Sequence, residues 1–272
     1  MTLTRRAAIT TIGAAAALTV AAPATLASAA PATDRPRATK PTVVLVHGAW
    51  ADASGWSKVT TALQRDGYTV LAPPNPLRGI AGDSAYLAAF LRQRTTGPVI
   101  LVGHSYGGAV ITNAALSAPG VRALVYVDAF VPDQGETILG LLGGGGDPTA
   151  IFDFVEVPGQ PPTNPDLYFK TALFPSSFAG DLPAEAAAQM AAAQRPIAFG
   201  ALAEPSGVPS WKTLPSWYLL GTRDNVVPPA VQRSMAQRAH SHVVEVPASH
   251  LAMVSHPHAA AALIVAAARS VQ

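Results

Sequence analysis

The stretch VILVGHSYGGAVIT, residues 99–112, decides the fold of this chain because it joins a buried strand to a helix through a serine. Its first part is a run of aliphatic residues, which is typical of a strand that is buried on both faces. Ser105 follows between Gly103 and Gly107 in a G-x-S-x-G pattern, and a helix-like segment comes next. The glycines allow a sharp strand-to-helix turn that holds a serine hydroxyl clear of the sheet. The pattern therefore predicts that Ser105 is a nucleophile.

Strand-like and helix-like segments alternate on both sides of this motif. The predicted strands are 42–48, 68–73, 98–103, 121–128, 216–221 and 242–247, and the predicted helices are about 55–66, 83–94, 105–116, 228–239 and 257–270, with Asp83 as an N-cap. This alternation predicts a mostly parallel sheet flanked by helices. It stops after Phe130. Residues 131–210 contain several prolines, glycines at 143–146 and a helical segment near 183–194, so we expect a small cap inserted over the sheet.

The composition favours one folded domain with a large core and excludes several kinds of site. The 272 residues are 49% hydrophobic and only 12% charged, so the chain buries a large core. It has no cysteine, which excludes disulfides, thiolate nucleophiles and cysteine metal sites. No basic block and no metal-ligand spacing stands out. We therefore expect no nucleic-acid partner, no metal and no cofactor.

Residues 1–30 are typical of an export signal that is cleaved from the mature protein. Arg5 and Arg6 precede an alanine-rich apolar run that is short for a membrane anchor, and an A-x-A sequence follows it. The arginine pair favours a twin-arginine signal. Residues 31–41 are Pro-rich and are predicted to be a linker, which leaves 42–272 as the mature domain. We expect a secreted or periplasmic protein without stable membrane anchoring after cleavage.

A nucleophilic serine needs a base within hydrogen-bond reach and an acid that orients the base. His250 follows the last predicted strand in VVEVPASHLAM, and Asp224 follows the preceding strand in WYLLGTRDN. In a parallel sheet these positions lie at the same edge as Ser105. The order Ser105, Asp224, His250 therefore predicts a catalytic triad. Asp128, which ends the strand 121–128, is the alternative acid. The spacing in Gly221-Thr222-Arg223-Asp224 favours Asp224.

Acyl transfer also needs donors for the oxyanion that develops on the substrate. The backbone N–H of Tyr106, directly after the serine, is one candidate. The loop after the first strand, VHGAW, offers the backbone N–H of Ala49 as the second. In this prediction His47 and Gly48 shape the turn that presents Ala49.

Six segments of the chain resemble the α/β-hydrolase superfamily, and within it the branch of plant methylesterases, hydroxynitrile lyases and their bacterial esterase relatives. The segments are VVLVHGAWADASGW, VILVGHSYGGAVIT, VDAFVPDQGE, DLYFKTALF, AAQRPIA and SHLAMVSHP. The resemblance extends from about residue 42 to the end. It implies an α/β-hydrolase fold with a small cap. It also implies Ser105 as nucleophile, His250 as base and Asp224 as acid, with Ala49 and Tyr106 as oxyanion donors.

One position separates the two activities of that branch. The lyases that this chain resembles carry a lysine directly after the catalytic histidine, whereas this chain has Leu251. The esterases have an apolar residue there. The resemblance therefore implies ester hydrolysis rather than cyanide chemistry.

We predict an exported serine carboxylesterase that hydrolyses small to medium esters or lactones through an acyl-enzyme. A lipase or polyester hydrolase of the same fold, and a receptor-like relative that binds a ligand, are the alternatives. The pocket is expected to be apolar, and its candidate lining residues are Trp50, Phe130, Phe169, Phe174, Leu251 and Met253. The expected partner is a small-molecule ester, and the sequence leaves the oligomeric state open.

Overall fold

The computed structural model describes residues 40–144 and 146–271. The predicted export signal, 1–30, and all of the predicted linker except residues 40 and 41 lie outside the described residues. Within the described ranges, no helix is both long enough and apolar enough to cross a bilayer.

In the described ranges, nine strands form two separate sheets. They are β1 (Thr42–Val46), β2 (Val70–Leu71), β3 (Val99–His104), β4 (Val121–Val127), β5 (Phe152–Val155), β6 (Asp166–Phe169), β7 (Ile197–Ala198), β8 (Ser216–Gly221) and β9 (His242–Val246). The central sheet has the order β2-β1-β3-β4-β8-β9, and every pairing within it is parallel. All residues of β3 and β8 are buried, which explains why these strands are continuous apolar runs.

Ten α-helices accompany the strands in the part of the chain that the structure describes. They are α1 (Ser57–Arg65), α2 (Ile80–Arg94), α3 (Tyr106–Ala114), α4 (Ile138–Leu141), α5 (Phe174–Ser177), α6 (Ala184–Ala192), α7 (Phe199–Ala203), α8 (Pro229–Arg238), α9 (Ala252–Ser255) and α10 (Pro257–Ser270). Helix α2 packs against α3, and α1 packs against α10. These layers flank the parallel sheet as predicted, and the polar loops after the strands meet at one edge of it.

The segment between β4 and β8, which we call the cap (131–210), contains the second sheet and helices α4 to α7. Its strands pair antiparallel in the order β5-β6-β7. The side-chain amide of Gln194 holds β6 by accepting from the backbone N–H of Phe169 at 2.8 Å and donating to its carbonyl at 2.9 Å. Sequence analysis did not predict these strands, because strands of two to four residues are too short to produce a readable alternation.

The start of α2 differs from its prediction. Asp83 was expected to be the N-cap, but the helix begins at Ile80 and Asp83 lies in its first turn. From there its carboxylate accepts the backbone N–H of Arg78 at 3.1 Å and the hydroxyl of Tyr106 at 2.8 Å. The prediction of Asp83 as N-cap is therefore wrong. The carboxylate still bonds a backbone N–H at the helix start, but it reaches back from inside the helix.

We predict that Gly108→Ala destabilises the fold. A Cβ at Gly108 would lie 2.5 Å from the carbonyl oxygen of Phe130 and 2.7 Å from Cβ of Ala129, so α3 would have to shift away from the end of β4. We expect the free energy of unfolding, measured by urea denaturation, to fall by about 1–3 kcal/mol.

Gly82→Ala is the matched control for this substitution. Gly82 lies inside α2, and a Cβ there meets nothing within 4 Å. Because alanine is the better helix former, this variant is expected to gain up to about 1 kcal/mol. A Gly108→Ala protein as stable as the wild type would contradict the close approach of α3 and β4.

Candidate active site

Ser105 lies in a sharp turn between β3 and α3. Its backbone has φ 51° and ψ −124°, a conformation that non-glycine residues rarely adopt. Three backbone hydrogen bonds hold the turn in place. The Ser105 carbonyl accepts the N–H groups of Gly108 at 2.9 Å and Phe130 at 3.1 Å, and its own N–H donates to Val127 at 3.3 Å. The serine side chain is therefore carried on a rigid, strained backbone.

The glycines around Ser105 are required because a Cβ at these positions would clash with neighbouring atoms. A Cβ at Gly103 would lie 2.6 Å from the carbonyl oxygen of Gly107, and a Cβ at Gly107 would lie 2.6 Å from that of Val46. A Cβ at Gly48, in the loop after β1, would lie only 2.7 Å from Cβ of Ser105. The G-x-S-x-G pattern therefore lets β3 and α3 pack closely, and it brings the loop after β1 against the serine.

His250 and Asp224 form a buried pair beside this turn. Nδ1 of His250 lies 2.8 Å from Oδ2 of Asp224, and both side chains are fully buried. The other donors orient the carboxylate. Oδ1 accepts the backbone N–H groups of Val226 at 2.7 Å and Val227 at 2.9 Å, and Oδ2 accepts the amide of Gln232 at 2.8 Å. This leaves Nε2 of His250 without a hydrogen-bond partner among the described residues, so it is available to accept a proton.

The alternative acid, Asp128, has different partners. Its Oδ1 accepts the backbone N–H of Gly221 at 2.7 Å, and its Oδ2 accepts that of Ala252 at 2.9 Å. Burial, and then the nearby charge of Asp224, raise the pKa of the Asp128 carboxyl well above its usual range. The structure therefore pairs the imidazole of His250 with Asp224 and gives Asp128 another task.

The two N–H groups predicted to bind an oxyanion belong to Tyr106, directly after Ser105, and to Ala49, directly after Gly48. Tyr106 is the first residue of α3, so its N–H has no acceptor within the helix. Gly48 lies against Ser105, and the next residue, Ala49, is buried. Neither N–H donates a hydrogen bond to another of the described residues.

Trp50, directly after Ala49, attaches this loop to the cap. Its backbone N–H donates to the carbonyl of Arg195 at 2.9 Å, and its indole N–H donates to that of Leu167 at 2.8 Å. Trp50 itself has a positive φ of 54°. The position of the cap is therefore coupled to the conformation of the loop that carries Ala49.

Three of the six predicted lining residues lie in one aromatic cluster. Trp50, Phe169 and Phe174 are joined there by Phe152 and Phe178. The ring of Phe178 packs edge-on against the imidazole of His250 at 4.6 Å between ring centres. The cluster thus extends from the cap to the catalytic histidine candidate.

The other three predicted lining residues, Phe130, Leu251 and Met253, are also buried, but outside this cluster. Met253 turns toward the segment before α1, where its Cε would lie 3.5 Å from a Cβ at Gly55. These positions give Phe130, Leu251 and Met253 core packing, and their role in lining a pocket stays a prediction.

Sequence reasoning missed four residues that shape this site. Phe178 packs on His250, and Gln232 donates to Asp224. Ser249 donates both to the carbonyl of Phe178 at 3.1 Å and to the carboxylate of Asp181, which ties the cap to the histidine loop. Only Ser249 had a readable signal, since it directly precedes His250. The others lie far away in sequence and carry no motif.

Two further buried histidines have tautomers that their partners determine. Nδ1 of His47 donates to the carbonyl of Gly48 at 2.9 Å, while Nε2 accepts the backbone N–H of Asn75 at 2.9 Å. Nε2 of His104 donates to the carbonyl of His250 at 2.8 Å. Burial lowers the pKa of His47 and lowers that of His104 further. Both imidazoles are therefore neutral in the folded protein.

The chain belongs to the alpha/beta hydrolase family, whose model matches residues 43–263. A crystal structure of a pyrethroid hydrolase from Sphingobium faniae JZ-2 shares 25% identity and superposes with a TM-score of 0.71, covering 85% of this chain and 98% of that one. The predicted superfamily and fold are thereby confirmed.

Two named relatives locate the chain more finely within the family. A carbendazim hydrolyzing esterase of Nocardioides sp. (strain SG-4G) is 40% identical over 111 residues, 36% of this chain and 46% of that protein. Putative methylesterase 11, chloroplastic, of Arabidopsis thaliana is 29% identical over 216 residues, 71% of this chain and 54% of that protein. The chain thus spans about half the length of both relatives. These relatives confirm the predicted resemblance to the plant methylesterases and their bacterial esterase relatives.

We predict that His47 makes stability depend on pH. Because its pKa is lowered in the fold, the unfolded chain takes up a proton first as the pH falls below about 6.5, and the free energy of unfolding decreases. The slope is at most about 1.4 kcal/mol per pH unit for one proton. Urea denaturation between pH 8 and pH 5 should show a smaller loss for His47→Gln than for the wild type.

His258→Gln serves as the control, since His258 is exposed on α10. It is expected to leave the pH dependence of unfolding unchanged. Parallel curves for the wild type and His47→Gln would show that His47 is not held neutral by the fold.

Proposed function

We propose that this protein is a serine carboxylesterase with Ser105, His250 and Asp224 as its catalytic triad. The single observation that carries the proposal is the buried 2.8 Å bond between His250 and Asp224 beside a serine held in a strained turn. A buried carboxylate that fixes the tautomer of a histidine is the arrangement that activates a serine hydroxyl.

The reaction follows from these positions. Nε2 of His250 takes the hydroxyl proton of Ser105 as Oγ forms a bond to the ester carbonyl carbon. The N–H groups of Ala49 and Tyr106 stabilise the negative oxygen of the tetrahedral intermediate. The intermediate then expels the alcohol, which receives the proton from His250. Water, deprotonated by the same histidine, attacks the acyl-enzyme and forms a second tetrahedral intermediate. This intermediate expels Oγ of Ser105, which takes the proton back from His250, and the carboxylic acid is released.

The substrate class we propose is a small to medium uncharged ester or lactone. The cluster of Trp50, Phe152, Phe169, Phe174 and Phe178 beside His250 supports an apolar substrate, since these side chains offer it aromatic faces and no charge. The relatives named as a carbendazim hydrolyzing esterase and a pyrethroid hydrolase also support ester hydrolysis.

Substrate entry requires movement of the cap. Ser105 is only 2% exposed and His250 is 0% exposed, so an ester cannot reach the hydroxyl while the cap is closed.

We also propose that the chain is exported and acts outside the cytoplasm. The twin arginines and the A-x-A sequence of residues 1–30 support that location.

Removal of the nucleophile tests the mechanism. Ser105→Ala is expected to lower kcat for p-nitrophenyl butyrate by on the order of 10⁴-fold or more. Asp224→Asn should lower it by about 10⁴-fold, because an amide favours the wrong histidine tautomer. Ser117→Ala, at an exposed serine, is the control and should keep full activity. Undiminished turnover by Ser105→Ala would refute the triad.

Acyl-chain preference tests the substrate class. Since the cap encloses the site, p-nitrophenyl acetate and butyrate should be hydrolysed with higher kcat/KM than palmitate. Polyester films should release no product. Faster hydrolysis of palmitate or of films would favour the lipase or polyester hydrolase alternative. Tight binding of an ester without turnover would favour the receptor-like one.

A further inference from the structure

Asp128 is a buried acid that the proposed reaction leaves without a task. It lies directly after β4, the strand that separates β3, which carries Ser105, from β8, which precedes Asp224. Its side chain is 0% exposed and its φ is 46°. A charged residue type in a strained backbone inside the core is costly, so it is retained only where its contacts compensate for that cost.

The two oxygens of Asp128 bond to two different loops of the site. Oδ1 accepts the N–H of Gly221, three residues before Asp224, and Oδ2 accepts the N–H of Ala252, two residues after His250. The backbone N–H of Asp128 donates to Leu219 at 3.0 Å, which ties it to β8 as well. One carboxylate therefore sets the distance between the loop of the acid and the loop of the base.

The space around this bridge is tight. A Cβ at Gly221 would lie 2.9 Å from Oδ1 of Asp128 and 2.8 Å from the carbonyl oxygens of Ala248 and Ser249. The loops after β8 and β9 are thus in backbone contact at the bridge. Both Asp128 oxygens must act as acceptors there, and an amide would place its NH₂ donor against one of the two N–H groups.

We propose that Asp128 is a positioning residue that keeps His250 and Asp224 within hydrogen-bond distance of each other. This role rests on the proposed serine esterase function. It does not touch the substrate. It acts through the backbone of both loops, so its loss should slow the chemical step more than it weakens substrate binding.

Tyr218, in β8, provides a matched control because its hydroxyl bonds Ala129, the residue after Asp128. Its hydroxyl is fully buried, donates to the carbonyl of Ala129 at 2.6 Å and accepts the N–H of Ala129 at 2.9 Å. Like Asp128, it makes two buried hydrogen bonds to backbone. Unlike Asp128, it bonds neither the loop of Asp224 nor the loop of His250. Tyr218→Phe therefore removes two buried hydrogen bonds to Ala129 and keeps both hydrogen bonds of the bridge.

The test compares Asp128→Asn with Tyr218→Phe in the full chain. Asparagine tolerates positive φ, so the backbone of residue 128 is preserved. For Asp128→Asn we expect kcat for p-nitrophenyl butyrate to fall on the order of 100-fold, the effect of misplacing a catalytic group by about 1 Å. KM should change much less. Tyr218→Phe should lower the free energy of unfolding and leave kcat near that of the wild type.

A spectroscopic readout follows the pair directly. The proton between Nδ1 of His250 and Asp224 gives a downfield ¹H NMR resonance, and we expect this resonance to shift or broaden in Asp128→Asn but not in Tyr218→Phe.

If Asp128→Asn does not fold, Asp128→Gly is used, since glycine accepts the same backbone conformation. If the wild type hydrolyses no ester, the proposed function fails, while the NMR comparison still tests the bridge.

Two outcomes would overturn the role of Asp128. One is a wild-type kcat with an unchanged resonance in Asp128→Asn, or in Asp128→Gly where that variant replaces it. The other is an equal loss of kcat in Tyr218→Phe and Asp128→Asn, which would show that general destabilisation explains the effect.

Discussion

The close approach of backbones around Ser105 is the constraint on which the rest of the structure depends. The loop after β1, the turn after β3 and the start of α3 come so near each other that Gly48, Gly103 and Gly107 leave no room for a Cβ. This contact forces Ser105 into a positive φ, and the backbone bonds from Gly108 and Phe130 hold it there. The strain is stored where the proposed chemistry occurs, and the parallel sheet provides the rigidity that sustains it.

Around this turn, the hydrogen-bond partners of buried histidines determine which ring nitrogen carries the proton. His47, His104 and His250 are all inside the protein. His104 and His250 each have one ring nitrogen bonded to a fixed partner, and His47 has both nitrogens bonded. In a medium of low polarity an unpaired charge is costly, so these partners decide which nitrogen carries the proton. The free Nε2 of His250 is thus a consequence of the way Asp224 occupies Nδ1. The same burial explains why Asp128, which lies near the charge of Asp224, has a raised pKa.

The cap is bonded to two of the loops that form the proposed site. Trp50 bonds the cap next to the predicted oxyanion donor Ala49, and Ser249 bonds the cap next to His250. Movement of the cap that admits a substrate would therefore act on both loops. From inside the sheet, Asp128 bonds the loop of His250 and also the loop of Asp224, so that the pair of His250 and Asp224 can stay fixed while the cap moves.

The sequence by itself determined the parallel sheet, the turn at Ser105 and the order of Ser105, Asp224 and His250 at successive strand ends. These features are local, since apolar runs, glycines and strand ends are read within a few residues of each other. Only the tertiary structure decided that His250 bonds Asp224 rather than Asp128, that Phe178 and Gln232 complete the site, and that short strands form within the cap. Those outcomes depend on how segments far apart in the chain pack against one another. That packing is selected by burial of the whole core, which no local pattern records.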